Sequence, residues 1–372
     1  MAPHQGASEL LWMVPVSILN VVNVGAKPAA IAVSERTGRV FVANEHSDTL
    51  SVLDAANGDV LATVGTGKAP ARLWVDELVG RVYAAHWDDV SVGMHDAVDG
   101  STMGTLVVDS HVRRVVGDVG RGRLFVASMG SKVDVFDTTT GRVVNTLSFA
   151  GPYAAGLAAD TVSGRTFVLV APFESGRRDG VVHMLDSSSG TLLGTLTLPM
   201  DPSAAVVDER AGRVFVLAGF DDEHAKVVYV LDSTSGALLN AIAVGIQADE
   251  LDVDRRTGHV FVVNNSSVSM IADVVRGLVR SIDTEPYYGS IVVDELTCRA
   301  FVVNLFSNRL RVIDTSTGAM LQTLLLSPPG YDSYGDGAMA ISLRTRRVFV
   351  ANSDANDKYI PPYGRVTTVA IG

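Results

Sequence analysis

The sequence contains very little cysteine and no long apolar segment. Cys298 is the single cysteine among 372 residues, which excludes an intrachain disulfide and a cysteine-based metal site. No apolar run reaches the roughly 20 residues that a membrane-spanning helix requires. Residues 10–24 are mostly apolar, as in a signal peptide, but no Lys or Arg precedes them, and Pro15 and Asn20 interrupt them. We therefore favour a strand over a leader for this stretch.

Positive charge is also scarce. Lys and Arg number 30 against 41 Asp and Glu, which gives a net charge of −11. A general nucleic-acid-binding protein needs a basic surface to displace counterions, and an acidic protein is repelled by anionic lipid. The composition therefore disfavours both as partners. With 47% hydrophobic and 19% charged residues, the chain is typical of an ordered protein with a large core.

A module of four short strands, best seen at residues 27–66, recurs along the chain. Its second strand reads R-V-F-V-A-N, and the copies follow one another at intervals of 40–48 residues. Eight copies begin at Arg39, Arg81, Arg123, Arg165, Arg213, His259, Arg299 and Arg347. This period is typical of the four-stranded blades of a β-propeller, and the Val, Ile, Phe and Thr content suits strands.

Two turn signatures punctuate the copies. A D-x-x-x-G motif or a close relative separates the first and second strands, and D-x-x-x-G also separates the third and fourth, as at Asp54 and Gly58. The Asp side chain accepts backbone N–H groups of the turn, and Gly supplies a positive φ. We interpret these aspartates as turn caps rather than as rows of metal ligands.

The two ends of the chain complement each other. The eighth copy stops after its third strand, at residues 365–371, whereas residues 17–25 align with the fourth strand at residues 59–67. An N-terminal strand that completes the last blade would remove the exposed sheet edges. The sequence thus predicts an all-β, eight-bladed β-propeller in one domain, residues 17–372, after a tail of residues 1–16. Seven blades plus an irregular unit is the alternative.

The runs V-F-V-A-N at 40–44, L-S-V-L-D at 50–54 and V-L-A-T-V-G at 60–65 resemble the YVTN-type β-propeller repeat family. The characteristic Asn after the second strand is matched by Asn44, Asn264, Asn304 and Asn352. The other four copies depart from it, with His86, Ser128, Val170 and Ala218. The resemblance implies a propeller fold and a lean towards an extracytoplasmic or secreted location. It implies no particular activity, because a fold hosts many functions.

The loops between second and third strands, and those between blades, vary from copy to copy. In a propeller they lie together at one mouth of the central channel. They hold seven of the nine tyrosines and many acidic residues, and tyrosine is typical of binding surfaces. We expect a small molecule, a glycan or a protein to bind this face. The candidate ligand-binding residues are His86, Trp87, Tyr153, Phe173, Tyr287, Tyr288, Tyr334 and Asp336.

A metal-assisted hydrolase or lyase, similar to the propeller lactonases, is the alternative function. His46 and His86 occupy equivalent loops of adjacent blades, and His111 begins the next blade, so the three could bind a divalent metal such as Zn or Cu. Asp249 and Glu250, at the channel mouth of the sixth blade, could act as a catalytic pair or hold Ca²⁺. The chain has no G-x-S-x-G, H-E-x-x-H or phosphate-loop motif. A surface-layer module is a third possibility.

Overall fold

The computed structural model describes residues 15–151, 153–171, 179–219, 224–286, 288–304, 307–326, 338–352 and 364–372. These residues form eight four-stranded antiparallel sheets arranged in a ring. The predicted eight-bladed β-propeller is confirmed, and the seven-bladed alternative is wrong. In the described ranges the sole helical element is a 3-10 turn at Val119–Arg121, and no helix there is long and apolar enough to cross a membrane.

The strand bounds show how regularly the blades repeat. The chain begins with β1 (Ser17–Val24), and blade 1 follows with β2 (Pro28–Ser34), β3 (Arg39–Asn44), β4 (Thr49–Asp54) and β5 (Val60–Gly65). Blade 2 comprises β6 (Pro70–Asp76), β7 (Arg81–His86), β8 (Ser91–Asp96) and β9 (Thr102–Val107). Blade 3 comprises β10 (Val112–Asp118), β11 (Arg123–Ser128), β12 (Lys132–Asp137) and β13 (Val143–Ser148). Blade 4 comprises β14 (Tyr153–Asp160), β15 (Arg165–Ala171), β16 (Gly180–Asp186) and β17 (Leu192–Leu198).

The second half of the ring has the same plan. Blade 5 comprises β18 (Asp201–Asp208), β19 (Arg213–Gly219), β20 (Ala225–Asp232) and β21 (Leu238–Ile246). Blade 6 comprises β22 (Glu250–Asp254), β23 (His259–Val263), β24 (Ser267–Asp273) and β25 (Leu278–Asp283). Blade 7 comprises β26 (Tyr288–Asp294), β27 (Arg299–Asn304), β28 (Arg309–Asp314) and β29 (Met320–Leu325). Blade 8 comprises β30 (Ala338–Ser342), β31 (Arg347–Asn352), β32 (Gly364–Ala370) and, from the other end of the chain, β1.

The N-terminal strand closes the ring as expected. Strand β1 pairs antiparallel with β32, from Ser17 opposite Ala370 to Val24 opposite Gly364. The inner strands contact each other around the channel, with β2 next to both β6 and β30. Blade 8 is therefore built from both ends of the chain, which leaves no open junction between the first and last blades.

The core lies between the blades and repeats with them. One fully buried aromatic residue stands at the third position of every second strand. These residues are Phe41, Tyr83, Phe125, Phe167, Phe215, Phe261, Phe301 and Phe349. Each packs with apolar residues of a neighbouring blade, as Phe349 does with Val40 and Val42. Burial of one such ring contributes about 2–3 kcal/mol.

The turn aspartates make the hydrogen bonds that their motif suggests. Oδ1 of Asp137 accepts the backbone N–H groups of Thr139 and Thr140, at 3.1 and 2.8 Å, and Gly141 follows with φ +70°. Asp54 and Gly58 repeat this geometry in blade 1. These aspartates therefore accept backbone N–H groups and stabilise the turns. The turns lie at the end of the propeller opposite the variable loops.

Candidate functional site

The inner strands of blades 3, 4 and 5 share an irregularity at the channel mouth, which also occurs in blades 1, 2 and 7. The register of β10 against β11 shifts between Val112 and Arg114, and β14 and β18 shift at the equivalent points. A bulge adds one residue and turns its side chain out of the regular ladder. The extra residues are Arg113, Ala155 and Ser203. Three neighbouring blades therefore present non-ladder residues to the same mouth.

Arg113 is held between two aromatic rings. Its guanidinium carbon lies 4.3 Å from the ring centroid of Tyr153 and 5.6 Å from that of Trp87. Trp87 stacks in turn on the imidazole of His111, with the ring centroids 5.8 Å apart, and Nδ1 of His111 hydrogen-bonds to the carbonyl oxygen of Trp87. Trp87, His111 and Tyr153 are all candidates from the sequence, and they lie together next to Arg113, which is not a candidate.

A cavity of about 330 Å³ lies beside this stack. We call it the blade 3–5 pocket. Its lining residues are Arg113, Arg114, Tyr153, Ala155, Ala171, Asp201, Pro202, Ser203, Gly219 and Lys226. Three cationic side chains face one carboxylate there. This local excess of positive charge contrasts with the net charge of −11 of the whole chain.

Two polar atoms of the pocket residues are buried without a hydrogen-bond partner among the described residues, Nε of Arg113 and Oδ1 of Asp201. Burial also raises the pKa of Asp201 above its ordinary value. A buried polar atom that lacks a partner costs about 1–3 kcal/mol. Both residues line the cavity, so a guanidinium and a carboxylate with incomplete internal hydrogen bonding border it.

Lys226 reaches the pocket through a close approach to the backbone. A Cβ on Gly219 would lie 2.5 Å from Cγ of Lys226, so glycine makes room for the lysine stem. The lysine is only 9% exposed, and its Nζ lies 3.6 Å from Oδ1 of Asp249. Because the Asp249 side chain is 72% exposed, this ion pair is largely screened by water.

Asp249 and Glu250 interact with different partners. Whereas Asp249 pairs with Lys226, Glu250 Oε2 accepts the N–H of Ile291 at 3.1 Å and its Oε1 accepts the Ser290 hydroxyl at 3.3 Å. Burial raises the pKa of Glu250 to about 7, although the hydrogen bonds from Ser290 and Ile291 act in the opposite direction. The two carboxylates therefore have different hydrogen-bond and ion-pair partners, and Glu250 links blade 6 to blade 7.

His86 lies in a hydrogen-bonded network inside blade 2. Its Nε2 accepts the N–H of Gly67 at 3.0 Å and lies 2.7 Å from Oγ1 of Thr66, and its Nδ1 lies 3.0 Å from Oγ of Ser91. Burial, then the neighbouring His95, lowers the pKa of His86 to about 4. Both ring nitrogens are occupied within the fold, which disfavours a role as a metal or ligand contact.

The expected metal triad is not assembled in the described part of the chain. No group of three His, Cys, Asp or Glu residues lies there close enough to hold a metal ion. His86 is buried, His111 stacks on Trp87, and His46 has Glu45 as its neighbour, at 4.0 Å. The physical reason is that equivalent loops of adjacent blades point their side chains to local partners and not to a common centre.

Four candidate residues, Phe173, Tyr287, Tyr334 and Asp336, lie outside the described residues, and Tyr288 begins β26. Arg113, Arg114, Asp201 and Lys226 are not among the residues predicted from the sequence, because those predictions rest on loop tyrosines, histidines and acids. A signal existed, because aligned inner strands show Arg-Arg at 113–114 where blade 4 has Ala-Gly and blade 5 Ser-Ala. The signal lies in the inner strands and not in the loops.

Comparisons with known proteins support the fold and nothing finer. No protein-family model and no curated protein sequence matches the chain, so membership of the YVTN-type family stays a prediction. The computationally designed Ika8 protein is similar in structure, with a TM-score of 0.72 and 13% identity over 93% of this chain and 96% of that one. Hydrazine synthase of Kuenenia stuttgartiensis gives a TM-score of 0.63 and 13% identity over 79% of this chain and 97% of that one.

Proposed function

We propose that this protein is a recognition propeller that binds a small molecule in the blade 3–5 pocket. The observation that carries the proposal is the placement of Arg113. Its guanidinium lies over the rings of both Tyr153 and Trp87 and borders a cavity of about 330 Å³. Small-molecule sites are concave, with a few polar groups placed among aromatic and apolar ones.

The position of the pocket in the fold supports the same function. It lies at the mouth where the variable loops begin, and it is built on the first residues of three rigid inner strands. Binding groups on a rigid scaffold need little ordering when the ligand arrives. The hydrolase alternative has less support, because its histidines and its carboxylate pair are not assembled in the ranges described.

A thermal-shift screen of small metabolites tests the function. We expect compounds that raise the melting temperature of the wild type by a few °C, as ligand present at about 100 times its Kd does. The same compounds should not raise the melting temperature of the Arg113→Ala and Tyr153→Ala variants. Arg276→Ala is the matched control, since Arg276 is 79% exposed in a β-turn of blade 6, and it should respond like the wild type.

Equal stabilisation of all four proteins would show that the compounds bind elsewhere and would contradict the proposal. Each variant is first compared with the wild type by circular dichroism, so that loss of binding is separated from loss of fold. Arg113→Lys provides a second variant that keeps the charge. It should bind more weakly than the wild type, because lysine has neither the planar fork nor the stacking surface of arginine.

A further inference from the structure

We infer that the ligand of the blade 3–5 pocket is a small hydroxylated organic anion. Its carboxylate or phosphate group binds to Arg113, Arg114 and Lys226, and one of its hydroxyl groups donates a hydrogen bond to Asp201. The inference rests on the proposed function and deepens it, because it names the chemical class that the site recognises.

The charges of the pocket determine the sign of the ligand. Three cations and one carboxylate line the cavity. The second carboxylate nearby, Asp249, is exposed to water and lies 3.6 Å from Lys226, so it screens the lysine only in part. In a chain with an excess of 11 acidic residues over basic ones, such a concentration of cations favours an anion at this place.

Arg113 is prepared for this role before any ligand arrives. Contacts with Trp87 and Tyr153 fix the plane of its guanidinium, so little side-chain entropy remains to be lost on binding. Its Nε is buried and has no hydrogen-bond partner among the described residues. Guanidinium groups bind carboxylate and phosphate through paired N–H donors, and the Arg113 guanidinium lines the cavity.

Asp201 makes the site selective for more than charge. Its Oδ1 is a buried acceptor that lacks a partner in the described part of the chain, and a bare anion next to it would be repelled. A hydroxyl group on the ligand would instead donate to the Asp201 carboxylate, which lines the cavity. The ligand must therefore place its anionic group near the arginines and a donor near Asp201.

The size of the cavity limits the ligand to a small molecule. Ligand pockets for drug-sized compounds occupy about 300–1,000 Å³, and this one, at about 330 Å³, lies at the lower end. A sugar acid or a sugar phosphate has a suitable size together with the required anion and hydroxyl groups. Longer anionic polymers would extend beyond the described walls.

Isothermal titration calorimetry with a matched panel tests the inference. D-gluconate, D-glucuronate and glucose 6-phosphate are the hydroxylated anions, with glucose, glucosamine, propionate and inorganic phosphate as comparisons. We expect at least one hydroxylated anion to bind roughly tenfold or more tightly than every comparison compound, a difference of about 1.4 kcal/mol. Added NaCl should weaken this binding, since exposed charges are screened.

Pocket variants locate the effect. Lys226→Gln and Arg114→Gln should each weaken anion binding roughly tenfold, since each removes a charge-assisted hydrogen bond. Asp201→Asn should reduce the preference for gluconate over propionate, because the amide is a poorer acceptor. Arg276→Ala should leave every affinity unchanged, because Arg276 lies outside the pocket.

Three outcomes overturn the inference. They are binding of glucose or glucosamine as tight as that of the anions, no preference for gluconate over propionate, and no anion binding at about 10 mM, weaker than roughly 3 kcal/mol. The thermal-shift screen tests the proposed function independently of these outcomes. If compounds of any charge stabilise the wild type but not Arg113→Ala or Tyr153→Ala, the proposed function is still supported.

Discussion

His86 does in blade 2 what Asn44 does in blade 1. Nδ2 of Asn44 donates to Oγ1 of Thr49 at 3.1 Å, and Nδ1 of His86 lies 3.0 Å from Oγ of Ser91, which stands opposite His86 as Thr49 stands opposite Asn44. Asn44 and Asn264 thus clamp the second and third strands of their blades together, whereas Asn304 donates to Pro286 and Asn352 to Asn308. A histidine at this position is a substituted clamp, and its lowered pKa keeps it neutral.

At the residue scale, the raised pKa of Glu250 predicts how the stability of the fold depends on pH. Its pKa is about 7 when folded, against 4.5 for an ordinary glutamate, so the folded state binds the proton more tightly than the unfolded chain. This contribution to stability is present at acidic pH and is lost as the pH rises through 7. Because the side chain is partly accessible along the channel, we expect a loss on the order of 1–3 kcal/mol at pH 8.

Glu250→Gln removes the charge and keeps an acceptor for the N–H of Ile291. Urea unfolding should show the variant to be more stable than the wild type at pH 8, with the difference shrinking towards pH 4.5. Asp249→Asn is the control, because its carboxylate is largely exposed; it should change stability by less than about 1 kcal/mol. A Glu250→Gln variant that is no more stable than the wild type at pH 8 would refute this account.

At the element scale, glutamates connect neighbouring turns. The carboxylate of Glu77, in the turn after β6, accepts the hydroxyl of Ser34 at 2.9 Å and the N–H of Glu35 at 2.6 Å in blade 1. Glu35 makes the same contacts to blade 8, accepting from Ser342 and Leu343. The repeat thus carries a link between blades at the end opposite the pocket.

Glu77→Ala tests this link. The change leaves the Ser34 hydroxyl and the Glu35 N–H without their partner, and we expect the free energy of unfolding to fall by about 1–3 kcal/mol. Glu77→Gln retains one acceptor oxygen, so its free energy of unfolding should fall by less. Differential scanning calorimetry measures both. If the alanine and glutamine variants have the same melting temperature as the wild type, the link between the blades does not contribute to stability.

The scaffold could be predicted from the sequence because every blade is built from the same pattern of buried and exposed residues. Periodic apolar strands, Asp–Gly turns and one aromatic position repeat eight times, so local chemistry and global fold agree. The inner-strand bulge recurs in six blades, but the pocket depends on side chains of blades 3, 4 and 5 that differ from copy to copy, such as Arg113 and Lys226. Their meeting is a consequence of ring closure and register, which no single repeat encodes.

At the scale of the whole molecule, β1 and the residue before it, Val16, join three blades. Strand β1 completes blade 8, while the backbone N–H and C=O of Val16 bond to the amide of Gln322 in blade 7. On the other side, Asn20 donates to Asp59 next to blade 1, at 2.9 Å. The strand therefore fixes the junction at which the two ends of the chain meet, and its inward face should determine whether the ring stays closed.

Val24→Asp tests ring closure. Val24 is 6% exposed and packs with Val40 and Phe349 of blades 1 and 8, so a carboxylate there would be buried without a partner, at a cost of about 3–5 kcal/mol. Val21→Asp is the matched control on the same strand, because Val21 is 44% exposed; it should change stability by less than about 1 kcal/mol. The urea midpoint should fall sharply for Val24→Asp alone, since every blade depends on the closed ring. Equal midpoints for the two variants would mean that β1 does not hold the ring together.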